Sequence, residues 1–293
     1  MSRHKSFTLI LSGGGGRGLA HVGVLRALAH YGYQPDAIVG ISMGAIVGVT
    51  KSLNHDWYSA LLNMDTSAFP APPRTTSNDL RARIRAVLAS ERALVEMFLG
   101  WGVGERSLEA GQRLLRGLTL ERRLEHGDIP VAVVAVDLYS GERVVLREGV
   151  AAEALYASAA LPGILPPLRR DNQMLADGSY VDNAPVDIAR EYGTDLVIAV
   201  DAGQEKTAYQ INNGFQAMLR AMEICHRHHA MIRFKQADFV IRPHYPFHID
   251  TLDFGHKRIC VAAGIRAIRK SIGHLHGLLR PGWHAQSQDA QTS

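Results

Sequence analysis

The chain has 293 residues, 46% of them apolar, 20% charged and 7% aromatic, a balance that supports a large buried core and excludes a disordered or fibrous protein. A net charge of +4 with a pI near 9.1 is too weak for a nucleic-acid footprint and leaves mild attraction to anionic surfaces open. Two cysteines, Cys225 and Cys260, are too few for a disulfide scaffold and read as reduced thiols.

Met1 to Lys5 is basic, but only Phe7 to Leu11 follow before glycine, short of the ~7 to 15 apolar residues of a signal peptide. That run reads as a first strand. No stretch approaches the ~18 to 20 apolar residues that span a bilayer, so the expectation is a cytoplasmic protein that meets membrane only peripherally, at its inner face. Five glycines crowd between Gly13 and Gly18, and Val22, Leu25, Leu28 and Ala29 then recur at helical spacing, giving strand, glycine loop and helix. Asp36 to Ile41 is a second apolar run, Ser42 follows, and Met43 to Leu53 is helical. Strands joined this way are parallel and buried on both faces, which accounts for runs that do not alternate.

Phe69 to Asn78, with Pro70, Pro72 and Pro73, breaks any helix and leads into an inserted helical region. There Leu80, Ile84, Val87, Leu94, Val95 and Phe98 mark an amphipathic helix. Between Asp79 and Arg123 nine arginines face six acidic residues. Phe98, Leu99, Trp101 and Val103, set among glycines, suit either a mobile apolar lid or a helix end. Val131 to Asp137 is the best strand in the chain, Ser140-Gly141 a hairpin turn, and Glu142 to Arg147 its return strand. Leu196 to Asp201 and Asp238 to Ile241 supply further strands, and Gln216 to Lys235 and Lys257 to Leu279 long covering helices. A sheet of five or more strands is implied.

Gly40-Ile41-Ser42-Met43-Gly44 fits G-x-S-x-G between strand and helix, the setting that exposes a nucleophilic serine on a sharp turn. Alone, the pentapeptide reads as a plain tight strand-to-helix turn. Gly13 to Gly18 adds consecutive backbone N–H groups that can converge on an oxyanion. Gly13, Gly15 and Gly18 also satisfy G-x-G-x-x-G, but dinucleotide binding expects an acidic residue after the second strand, where this chain has Ser42. Cys225 and His229, with His226 nearby, could share a helix face, yet two ligands do not make a zinc site. No D-x-D-x-D-G loop occurs either, so neither metal nor cofactor is expected.

These residues resemble the patatin-like phospholipase family, in particular its compact bacterial members. The likeness rests on Gly13-Gly14-Gly15-Gly16-Arg17-Gly18 leading into Ala20-His21-Val22-Gly23-Val24-Leu25, on the Gly40 to Gly44 elbow, and on a later block. That block is Ala157-Ser158-Ala159-Ala160-Leu161-Pro162-Gly163, Pro166-Pro167, and Asp177-Gly178 with Asn183 and Pro185. The resemblance implies an α/β fold, three layers α/β/α around a mainly parallel sheet. Residues 1–284 would form one patatin-like domain with a helical insert at about 70–123, and 285–293 a disordered tail. It also implies a Ser-Asp dyad, Ser42 as nucleophile and Asp177 as base, with Gly14, Gly15 and Gly16 as oxyanion hole. Gly13, Arg17, Gly18, Gly40, Gly44 and Gly178 would support the motifs, with Arg17 either orienting the loop or solvated and His21 serving packing. Here Ser179 stands where the family commonly has Gly or Ala. The implied activity is hydrolysis of phospholipid or lysophospholipid esters. Two alternatives stay open: a Ser-Asp-His esterase using one of His226, His228, His229, His244, His248 or His256, and a non-catalytic regulatory or interaction protein on the same fold.

Overall fold

The computed structural model of the chain describes residues 4–65, 105–204, 211 and 214–280. The first apolar runs become β1 (Phe7–Leu11) and, after α1 (Ala20–His30), β2 (Ala37–Ile41), with every residue of both strands buried. α2 (Met43–Leu53), α3 (Trp57–Asn63) and α4 (Glu105–Thr119) follow, then β3 (Val131–Asp137), β4 (Arg143–Leu146) and α5 (Ala151–Ala159). β5 (Leu168–Arg170) pairs with β6 (Gln173–Asp177), and α6 (Val186–Arg190) leads to β7 (Leu196–Val200). α7 (Gly214–Phe234), β8 (Phe239–Ile241) and α8 (Lys257–Leu279) complete the described chain.

The strands form one sheet in the order β5-β6-β3-β2-β1-β7-β8, with β4 also paired to β3. β3, β2, β1, β7 and β8 are parallel, while β4, β5 and β6 run antiparallel to their neighbours. Successive residues of β1 serve opposite layers. Phe7, Leu9 and Leu11 pack with α1, α2 and α8, whereas Ile10 joins Val39, Val134, Ile188 and Phe234 beneath α6 and α7. The result is the expected three-layer α/β/α architecture with a mainly parallel sheet.

The sequence singles out neither the β5–β6 hairpin nor α3, α5 and α6, because elements of 3 to 9 residues are too short to display a period. Of the inserted region, α4 packs Leu115 and Leu118 into the same core as α5. The amphipathic segment from Asp79 to Phe98, the Phe98 to Val103 stretch and the tail 285–293 lie outside the described residues.

α1 and α8 cross with their backbones nearly touching, since a Cβ on Gly264 would run into the Ala20 carbonyl. Gly273, on the same helix, has nothing within 4 Å of such a Cβ. In urea unfolding, Gly264→Ala should therefore cost about 1–3 kcal/mol, whereas Gly273→Ala should gain about 0.5–1 kcal/mol. Equal effects at the two sites would contradict the close crossing.

Candidate active site

β2 ends at Ile41 and α2 begins at Met43, so Ser42 alone makes the turn, at φ 52° and ψ −123°. A positive φ is costly for a residue with a side chain and persists only where the surroundings over-determine it. They do so here. A Cβ on Gly40 would lie 2.5 Å from the Ala45 Cα, and one on Gly44 would run into the Leu11 carbonyl, so neither flank can carry a side chain. The Ser42 N–H donates to Ser158 Oγ (2.9 Å), and that hydroxyl donates to the Val134 carbonyl (2.6 Å). The turn is thereby tied through α5 to β3.

β3 also places Asp177. Ile41 stands opposite Val134, and Asp177 at the end of β6 stands opposite Ala135, the next residue. Two strands of opposite direction thus deliver Ser42 and Asp177 to adjacent points of one strand. Asp177 is 3% exposed; its carboxylate accepts from the Ser179 N–H at 2.9 Å, and the Ser42 side chain lies near enough to favour its charged form. Burial pushes its carboxyl above the usual range, partly countered by the Ser179 N–H and by the nearby Ser42 and Ser179 hydroxyls. Gly178 abuts the sheet, where a Cβ would meet the Val134 carbonyl, and the Ser179 side chain fits against Gly13. Tyr180 follows, its phenol pushed up by burial and by the charge of Asp177. His226 from α7 packs edge-on against that ring at 4.6 Å between centroids.

The glycine loop starts beside the serine. The Gly13 N–H donates to Asn183 Oδ1 (2.6 Å), and a Cβ on Gly13 would be 3.5 Å from the Ser42 Cβ. Gly15, at φ 54°, opens a single 3-10 stretch, Gly15–Leu19, that runs into α1. The Gly16 N–H donates to the Thr251 carbonyl at 2.8 Å, and Gly18 backs onto the Met43 side chain. Arg17 is not solvated: it is 5% exposed, donates to the Ile249 carbonyl and to Thr251 Oγ1 (both 3.2 Å), and pairs with Glu223 at 3.4 Å. Burial alone would push the Glu223 carboxyl up, but the Arg17 and Arg220 guanidiniums hold it below the usual range. His21 is fully buried, with Nε2 at 2.8 Å from the Ser12 carbonyl, and burial lowers it to about 4. Its neutral ring supports the root of the loop.

The structure therefore brings Ser42, Asp177 and Gly13 to Gly18 together. Ser158 and Asn183 fell within blocks legible in the sequence, though their bonds did not. Glu223 and Thr251 carried no sequence signal. Cys225 is exposed and Cys260 buried, and among the described residues no group of three or more His, Cys, Asp or Glu is placed to hold a metal ion. No described helix is long and apolar enough to cross a membrane.

A family model described as patatin-like phospholipase matches residues 9–190. Patatin-like phospholipase domain-containing protein 7 of Rattus norvegicus is 29% identical over 211 residues, 71% of this chain and 14% of that protein. Protein 6 of the same description from Homo sapiens is 30% identical over 204 residues, 68% of this chain and 14% of that protein. An NTE family protein of Mycobacterium bovis is 32% identical over 192 residues, 66% of this chain and 48% of that protein. The matched region is thus a minor part of each relative. The solved structure of VipD from Legionella pneumophila superimposes with a TM-score of 0.51 at 16% identity, over 93% of this chain and 68% of that one, a likeness of fold.

The burial of Asp177 has a consequence for stability. Its folded-state pKa lies above the unfolded value of 3.8, so the folded protein binds the proton more tightly and loses stability as pH rises through the shifted value. Asp177→Asn removes that loss. Its melting temperature should exceed that of the wild type at pH 7, with the advantage fading as pH falls toward 4; a variant less stable at every pH would contradict this.

Proposed function

The chain belongs to the patatin-like phospholipase family, and on that footing we propose that it is a serine acyl hydrolase acting on carboxylic esters of phospholipid or lysophospholipid, with Ser42 as nucleophile and Asp177 as base. The observation that carries the reading is the buried Asp177 carboxylate brought beside the Ser42 side chain by the register of β2 and β6 on β3, at the foot of the glycine loop. Ser42 Oγ attacks the ester carbonyl carbon while Asp177 takes the hydroxyl proton, and the carbonyl π-bond becomes an oxyanion. N–H groups of Gly14 and Gly15 receive that charge; the third amide of the loop, Gly16, is spent on the Thr251 carbonyl. The bond to the alcohol breaks as Asp177 returns its proton to the leaving oxygen. Water then attacks the acyl-serine, again giving its proton to Asp177, and the fatty acid leaves as Ser42 regains its hydrogen.

Aspartate is a weak base at its ordinary pKa of ~3.9, and burial raises its proton affinity in the direction the reaction needs. A histidine triad is the less favoured reading because it is the Asp177 carboxylate that stands beside the Ser42 side chain, while His226 meets Tyr180. Residues 1–284 are read as one domain, since elements before and after the insert share both core layers. Lipid is the proposed partner, reached by peripheral membrane contact in the cytoplasm, and nucleic acid is not.

Hydrolysis of a lysophospholipid and phospholipid panel tests the assignment. Ser42→Ala and Asp177→Asn should each lower kcat by at least about 10³-fold. The wild-type kcat/KM should fall as pH drops through the raised pKa of Asp177, because only the carboxylate accepts the proton. Comparable loss in His226→Ala would contradict the dyad, and a Ser42→Ala protein that retains every activity and cellular role would favour the non-catalytic module.

A further inference from the structure

The family match ends at residue 190, yet much of what holds the glycine loop comes from later in the chain. We infer that the β8–α8 connection, residues 242–256, is a positioning element for the glycine loop, with Tyr245 as its principal side chain. The inference rests on the serine hydrolase reading of the same site and adds the residues that aim its oxyanion donors.

The connection meets the loop backbone to backbone. A Cβ on Gly15 would run into the Thr251 carbonyl and one on Gly16 into the Asp253 carbonyl, so the two segments can approach only because the loop has no side chains there. The loop also rests on Ala202, whose Cβ is 3.1 Å from where a Gly14 Cβ would stand. Tyr245, 4% exposed, joins these walls: its hydroxyl lies 3.2 Å from the Arg17 carbonyl and 3.1 Å from the Ala202 carbonyl. One hydroxyl hydrogen is shared between the two acceptors. The Ala202 N–H in turn donates to Ser12 Oγ (3.0 Å) at the root of the loop. The bond from the Gly16 N–H to the Thr251 carbonyl fixes the peptide plane that follows Gly15, and Arg17 is buckled into the connection through Ile249 and Thr251. Donor direction decides how well an oxyanion is stabilised, and here it is set by groups that touch neither substrate nor reacting atoms.

Tyr245→Phe removes one oxygen and keeps the packed ring, and Thr251→Val removes Oγ1 while keeping the carbonyl. Each is measured as full-length protein well below its melting temperature, for ester turnover and for the rate of Ser42 modification by a fluorophosphonate. Tyr245→Phe should lower kcat about 10-fold, less than loss of an oxyanion donor itself, with KM within about twofold and the acid limb of the pH profile unmoved. Fluorophosphonate modification should slow by a similar factor, since it also builds negative charge on an oxygen held by the loop. Thr251→Val should shift both rates in the same direction. Wild-type kcat and labelling in both variants, or a loss confined to KM, would overturn the inference while leaving the hydrolase reading intact. Wild-type protein that neither turns over ester nor labels at Ser42 would overturn both.

Discussion

Ser42 sits at a positive φ in a one-residue turn between a buried strand and a buried helix, and the rest of the site is arranged around that constraint. Strain of this kind costs on the order of 1–3 kcal/mol and survives because the turn is closed in from three directions. Gly40 and Gly44 admit Ala45 and the Leu11 carbonyl at contact distance, and Ser158 holds the Ser42 N–H. The same crowding that makes the turn unusual projects the side chain from the end of β2, where the glycine loop and β6 meet it.

β3 turns these separate contacts into one geometry. Val134 faces Ile41, accepts the Ser158 hydroxyl and abuts Gly178, while Ala135 faces Asp177. Sheet register is a rigid ruler, since a slip of one residue reverses every side chain, so residues 42 and 177 are brought together by strand pairing and not by loop chance. What the fold gives up is electrostatic: a carboxylate enclosed at 3% exposure whose donors, among the described residues, are serines. An unpartnered charge would be intolerable there. The Ser179 N–H bond and the nearby Ser42 hydroxyl make it tolerable, and the residual penalty appears as raised proton affinity.

The amino half of the site was legible in the sequence because its elements are runs of uniform character. Phe7 to Leu11, the glycines to Gly18, Asp36 to Ile41 and the Gly40 to Gly44 pentapeptide each announce a local geometry that tertiary contacts do not override. Asp177 was different. Nothing in Gln173–Asp177 signals a strand by period, and its place in the site came from resemblance to a family; its antiparallel pairing to β3 could be read only in three dimensions. Arg17 was open between a solvated and an orienting role, and its buried bonds to Ile249, Thr251 and Glu223 favour the second. Those partners lie more than 200 positions along the chain and share no pattern with the loop. Tyr245 carries no sequence signal for the same reason: one tyrosine in an irregular connection has no periodicity to betray it.

The chemistry attributed to this arrangement reduces to one statement, that Ser42 is an activated nucleophile. Intact-protein mass after exposure to a fluorophosphonate, with peptide mapping and Ser42→Ala as control, addresses it most directly. A single adduct is expected, carried by the peptide containing Ser42 and absent from the variant. No adduct on folded protein, with or without liposomes present, or an adduct on another residue, would contradict it.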